Sequence, residues 1–312
     1  MGTTVPETLY SPNYTKKQLE PVLKQVLPML EEILKRGLFL FDRYVQRPGG
    51  NDDDLVIMFV FRHILDLFDS VKILVGECAP AMAALQLRAI MEALLSLEYL
   101  TEIKSKTPER ALAYRFVVEM NRKQFYLQQD PNSEEGKDLR RYIENSFYAE
   151  EWRPIDPERT VEHLRGLYQI LGRQEYVFMA KAFQKAEKRT RNPNWYTVHG
   201  GPRNIRELAQ YLKHADWYAF LYTEWSERGH GRDVIDRVLS HGPAGAAARS
   251  LRDASEFSST VNFAIVFAAE AMRALIRYYN PADEVEQSAW YVKEVASVDI
   301  PRIEIKSSWS GE

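Results

Sequence analysis

The sequence predicts an all-α protein, a multi-helix bundle of eight to eleven helices. Three observations carry this. Apolar residues recur at three- and four-residue spacing, helix starts are marked by capping side chains or proline, and no stretch alternates as a half-buried strand would. Many short turns between the periodic segments fit a bundle.

The first helix is expected from about Thr15 to Gln46, with Pro28 bending or splitting it. The run Arg47-Pro48-Gly49-Gly50-Asn51 breaks the chain. A second helix, about Asp54–Glu77, starts on acids that suit its N-terminal dipole. Ile57, Phe61, Ile64, Phe68, Val71 and Val75 form its core stripe. Pro80 opens the next helix, which reads to Leu100. Thr107-Pro108-Glu109, Ser133-Glu134-Glu135 and Asp156-Pro157-Glu158 open three more. The third of these stops near Gly172, and a polar helix follows to about Arg191. Residues 191–203 read as a loop, and Asn204-Ile205-Arg206-Glu207 as a capping box. A helix from Asp216 to about Gly229 precedes a Gly-rich link to Gly245. Ala246–Tyr279 reads as one long helix and Asp283–Val298 as the last. This divides the chain into a helical arm (1–50), a core domain with the polar site (51–245), and a C-terminal long helix, short helix and tail packed on the core (246–312).

Forty-one basic and 44 acidic residues leave a net charge of -3, which argues against bulk coating of nucleic acid but allows a local basic patch. Cys78 is the only cysteine, so no internal disulfide or thiolate cluster exists. The N-terminal stretch lacks a basic region followed by an apolar core, and the longest unbroken apolar runs are short. The expectation is a cytoplasmic protein with no membrane partner.

Within the apolar helix around residue 90, Arg88 and Glu92 lie four apart and share a face. A helix apolar nearly all round is expected to be buried, and buried charges need partners. The plainer reading is an ion pair bracing a helix junction. The functional reading is a site where Arg88 holds an anion and Glu92 orients it. Tyr222, Ser226 and His230 repeat at four-residue steps, stacking three polar tips along one helix line. A Ser/His pair suggests a nucleophile and base, but no Gly-x-Ser-x-Gly elbow accompanies it. A helix-terminal His meeting a backbone carbonyl explains it as well. His63 and Asp66 are three apart, more readily a hydrogen bond than a metal site, and no His-Glu-x-x-His run exists. Lys188, Arg189, Arg191 and Arg203, interleaved with Trp195, Tyr196 and His199, form the nucleic-acid candidate. There the plainer alternative is cations at a helix C-terminus, with Trp195 plugging the core.

The Arg88/Glu92 and Tyr222/Ser226/His230 helices, Arg110-Ala111-Leu112-Ala113-Tyr114 and the segment from Trp195 to Ile205-Arg206-Glu207-Leu208-Ala209 together resemble DUF5677, a bacterial family of unknown function, over about Leu55 to Gly231. The resemblance implies a helical fold and no established activity. More distantly the chain resembles HEPN-type helical domains, several of them ribonucleases of toxin and defence systems. Those carry Arg, four to six residues, then His. None of the six histidines here has that spacing; Arg159/His163 and Arg237/His241 leave only three residues between.

The expected convergence is Arg88, Glu92, Tyr222 and His230 around one cavity, with Trp195 as a wall and Ser226 a further binding candidate. The leading function is binding of a small anion or nucleotide in a defence or regulatory setting. The alternatives are a phosphate-ester enzyme with Glu92 and His230 as catalytic groups beside Arg88, and a homodimeric structural module.

Overall fold

The computed structural model describes residues 10, 12–147, 149–151, 155–222, 225, 239–242, 245–248 and 251–301. In chain order the helices are α1 (Pro12–Val45), α2 (Asp52–Gly76), α3 (Ala84–Thr101), α4 (Thr107–Gln129), α5 (Glu134–Glu144), α6 (Pro157–Leu171), α7 (Gln174–Glu187), α8 (Ile205–Tyr211), the single turn α9 (Ala215–Trp217), α10 (Phe257–Tyr279) and α11 (Glu284–Glu294). The protein is all-α, with one antiparallel hairpin, β1 (Leu239–Gly242) and β2 (Gly245–Ala248), among the described residues.

The chain forms two compact units, one of residues 1–104 and 209–312, the other of residues 105–208. Helices α1 and α10 both belong to the first unit. Both pack with α2 and α3 into the core of the first unit.

Helix α2 is the centre of that core. Asn51 caps it, accepting from the N–H groups of Asp53 and Asp54, while the Asp54 carboxylate accepts the Asn51 N–H. Its stripe of Ile57, Phe61, Ile64, Phe68, Val71 and Val75 is fully buried. Helix α1 covers one side with Leu23, Val26, Leu30, Ile33 and Leu40. Pro21 and Pro28 do not split α1. Both sit on its exposed face, so the carbonyls they leave unpaired meet water. Helix α10 covers α2 and α3 with Val261, Ala264, Phe267, Ala271 and Leu275. Helix α11 is tied to α1: Arg36 donates to Gln287 at 2.8 Å, and the Tyr44 hydroxyl to Asp283 at 2.9 Å.

In the second unit α4 packs on α5, α6, α7 and a tight turn at Trp195–Gly200. Phe116 of α4 meets Tyr176 and Phe183 of α7, with ring centroids 6.3 and 4.9 Å away. Ser133 and Asp156 cap α5 and α6, as their sequences predict.

Two elements depart from the sequence reading. The stretch expected to begin a helix at Ala246 is β2, and α10 starts only at Phe257. Alanine favours a helix, but Gly242 and Gly245 end the two strands that pair here, and glycine at a strand end suits a turn. His63 and Asp66 do not bond to each other as expected: Asp66 takes Arg62 four residues back, and His63 is exposed.

Two helical stretches, Pro80–Thr101 and Phe257–Tyr279, are long and apolar enough to cross a membrane by length and composition. Half of the most apolar window of the first and 56% of the second is buried inside the protein. Core helices that cover α2 pass the same test.

Ile90, Leu94 and Leu97 lie opposite Arg88 on α3 and are fully buried. Leu94→Ala is expected to cost about 2–5 kcal/mol in urea unfolding. A loss below about 0.5 kcal/mol, the range of surface substitutions, would show that α3 is not a core helix.

Candidate functional site

Arg88 and Glu92 face the same way because four residues make roughly one helical turn. Arg88 Nε donates to Glu92 Oε1 at 3.1 Å. Arg88 Nη2 donates to the Tyr222 hydroxyl at 2.8 Å, and its Cζ lies 4.4 Å from the centre of the Tyr222 ring. One tyrosine therefore supplies both an acceptor and a π face to the guanidinium. Tyr222 ends a π-helical turn, Tyr218–Tyr222, that continues α9. The Tyr218 ring stacks on it at 4.9 Å.

The pair is not buried as the sequence implies. The Arg88 side chain is 24% exposed and that of Glu92 42%. Leu85, expected on the same face, is also exposed. Helix α3 is apolar nearly all round, yet the described residues leave this edge open. Loss of Glu92 therefore strands no deeply buried charge. A half-exposed i,i+4 pair is worth about 0.2–1 kcal/mol, well below the several kcal/mol of a buried one.

Arg88 keeps donors in hand. A guanidinium has five N–H groups. Glu92 and Tyr222 engage two of them, and Nη1 meets no partner among the described residues. Burial disfavours the Arg88 charge, but Tyr222 and Glu92 outweigh it and hold the guanidinium protonated. Burial, then the Glu92 charge, push the Tyr222 phenol above its ordinary pKa, so it stays a neutral hydroxyl at physiological pH.

Of the expected set, the structure brings together Arg88, Glu92 and Tyr222. Ser226 and His230 lie outside the described residues. Trp195 belongs to the second unit, where it is 6% exposed and set edge-on to Tyr114 and Tyr196. Trp195 and Tyr196 are both buried, which removes them as stacking platforms in the basic stretch. Lys188, Arg189 and Arg191 are exposed, and Arg203 is engaged with Glu207. Among the described residues, no group of three His, Cys, Asp or Glu side chains could hold a metal.

The sequence reading missed a second pair on the same helix. His214 Nε2 lies 2.8 Å from Glu98 Oε2, and the two side chains are 21% and 17% exposed. The His214 ring stacks on Trp217 at 3.9 Å, nearly parallel, and Trp217 rests on Phe267 of α10. A cleft of about 650 Å³ opens beside the pair, lined in part by Tyr211, Arg273 and Tyr278. The available signal was Glu98 itself, a further charge on an apolar helix, with a histidine three residues before a tryptophan to answer it.

Burial works against the His214 charge, but the Glu98 hydrogen bond and the charges of Glu98, Glu270 and Asp216 outweigh it and raise the pKa above 6.5. A raised folded-state pKa means that protonation favours the fold. The contribution is full below about pH 6.5, the unfolded value, and is lost as pH rises through the folded value. His214→Gln keeps a donor without the titration. Its deficit in melting temperature relative to wild type should be larger at about pH 5.5 than at about pH 8.5. An equal deficit at both would mean that the His214 charge does not contribute.

No curated protein and no solved structure matches the chain. A family model described as a family of unknown function matches residues 54–245, more than half of the chain, and this span includes Arg88, Glu92, Glu98, His214 and Tyr222. The chain belongs to that family, DUF5677.

Proposed function

We propose that the protein binds a small anionic ligand of the nucleoside monophosphate class at Arg88, Glu92 and Tyr222. The observation that carries this is a guanidinium already oriented on two sides whose Nη1 meets no partner among the described residues. Glu92 fixes the plane through Nε, and Tyr222 fixes it through a hydrogen bond and its ring. An anionic oxygen that meets such a preset fork gains charge-assisted hydrogen bonds without ordering the side chain first. Partial burial strengthens those bonds relative to a fully solvated arginine.

Glu92 selects among anions. One of its carboxylate oxygens accepts from Arg88 at 3.1 Å, the carboxylate also meets the Tyr222 hydroxyl, and the side chain is 42% exposed. A carboxylate next to the fork repels a bare anion but accepts a hydrogen from a hydroxyl. The site therefore favours a ligand that presents an anionic oxygen and a hydroxyl together, as a phosphate with its ribose does. A pocket that bonds a hydroxyl discriminates strongly against ligands that lack it.

The test is calorimetric titration of the full chain with AMP and with inorganic phosphate at low salt. AMP should bind more tightly than phosphate. Arg88→Lys keeps the charge but loses the planar fork, and should weaken AMP by at least about tenfold, or about 1.4 kcal/mol. Glu92→Gln should leave the melting temperature nearly unchanged and narrow the preference for AMP over phosphate. Equal affinity of wild type and Arg88→Lys for AMP, or no binding to wild type, would overturn the proposal.

A further inference from the structure

The two polar pairs on α3 are joined by one short segment. His214 meets Glu98, and Tyr222 meets Arg88, so the chain from 214 to 222 runs antiparallel to α3. Ten helical residues separate Arg88 from Glu98, about 15 Å along the axis. Between its two ends the segment is α9 followed by the π turn, a geometry less regular than an α-helix. Inside the segment a ring contact stiffens each end: His214 on Trp217 at 3.9 Å and Tyr218 on Tyr222 at 4.9 Å. Lys213, immediately before it, holds a left-handed φ of 68°. That turn closes α8, with the Lys213 and His214 N–H groups donating to the carbonyls of Gln210 and Ala209, and it delivers His214 to α3.

We infer that the Glu98–His214 pair is a positioning latch: it seats the 214–222 segment on α3 so that Tyr222 meets and orients Arg88. The inference rests on the Arg88 site being the ligand site only for its consequence in binding. The mechanical link stands on the contacts alone. His214 is a positioning residue, since it reaches the guanidinium through Tyr222 and not directly.

The latch responds to pH. Glu98 faces His214 from α3, Glu270 from α10 and Asp216 from its own turn, and all three favour the imidazolium. Among the other charges that line the adjoining cleft, Arg273 and Arg277 are engaged with Glu270 and Glu284. Lys104 lies over the Tyr278 ring, Lys213 is exposed, and Glu102 closes the end of α3. Below the raised pKa the latch is a charged hydrogen bond. Above it a neutral imidazole holds the same carboxylate more weakly.

The reporter is the Nε–H proton resonance of Arg88, shifted by the Tyr222 ring above it and assigned as the signal lost in Arg88→Lys. Tyr222→Leu gives its position with no ring present. In the wild-type protein the resonance should move toward that position as pH rises through a midpoint above 6.5. His214→Ala and Glu98→Ala should lie nearer the Tyr222→Leu position at every pH. His214→Gln keeps a neutral donor and loses the titration, so its resonance should stay near the high-pH wild-type position and not titrate. This last variant carries the test even if the alanine variants fail to fold. A wild-type resonance that does not titrate, a His214→Gln resonance that titrates like wild type, or a folded His214→Ala with the wild-type position would overturn the latch. None of these readouts involves a ligand. A failed AMP titration therefore removes the proposed function and leaves the latch, and an intact AMP site with an unresponsive resonance does the reverse.

Discussion

Burial of α3 between α2 and α10 is the constraint on which the rest of the protein depends. Leu87, Ile90, Met91, Leu94 and Leu97 leave no freedom to rotate the helix, because any turn about its axis would carry apolar surface into water. The three charges of the helix are thereby placed without being chosen individually. Arg88 and Glu92 come to the open edge, and Glu98 falls on a more enclosed side. Glu92 pairs with Arg88 on the same helix, and the 214–222 segment supplies partners to Arg88 and Glu98.

The two carboxylates of α3 differ in burial, and this separates their roles. Glu98 is the more enclosed, and its partner is an imidazole whose charge the surroundings promote. An enclosed charge that loses its partner is costly, so Glu98 and His214 are held to one arrangement. Glu92 is 42% exposed and shares its carboxylate between Arg88 and the Tyr222 hydroxyl. Water reaches this carboxylate, so exchanging partners there costs little. The enclosed pair is suited to fixing geometry and the open pair to changing occupancy.

Much of the fold was legible because helix periodicity and capping are local signals. The α2 stripe, the Ser133 and Asp156 caps, and the ending of α6 at Gly172 all follow from short windows of sequence. The misreadings have equally local causes. Pro28 reads as a break only if its face is unknown, and alanines after Gly245 read as helix only if the turn residues beside them are discounted. The asparagine at position 204 does accept from the Glu207 N–H, but Glu207 returns to the Arg203 N–H one residue earlier than the box motif predicts. Spacing alone does not set which donor a flexible carboxylate finds.

The site was legible by half, and the missing half is non-local. Arg88 and Glu92 were found by spacing, and Tyr222 by the demand of a guanidinium for acceptors, a physical argument that reaches across 134 residues. Nothing in the sequence says how much water a face retains, so the exposure of the pair, and with it the small energetic weight of Glu92, came only from packing. His214 was passed over because His230 stood in a conspicuous four-residue row, while His214 follows a lysine and precedes an alanine in unremarkable sequence. What singles it out is the left-handed turn at Lys213, which aims the imidazole back at α3, and the tryptophan three residues on that stacks against it. Periodicity identifies groups that share a face. It does not identify a group aimed by a turn, and here the aimed group reaches the more enclosed of the two carboxylates.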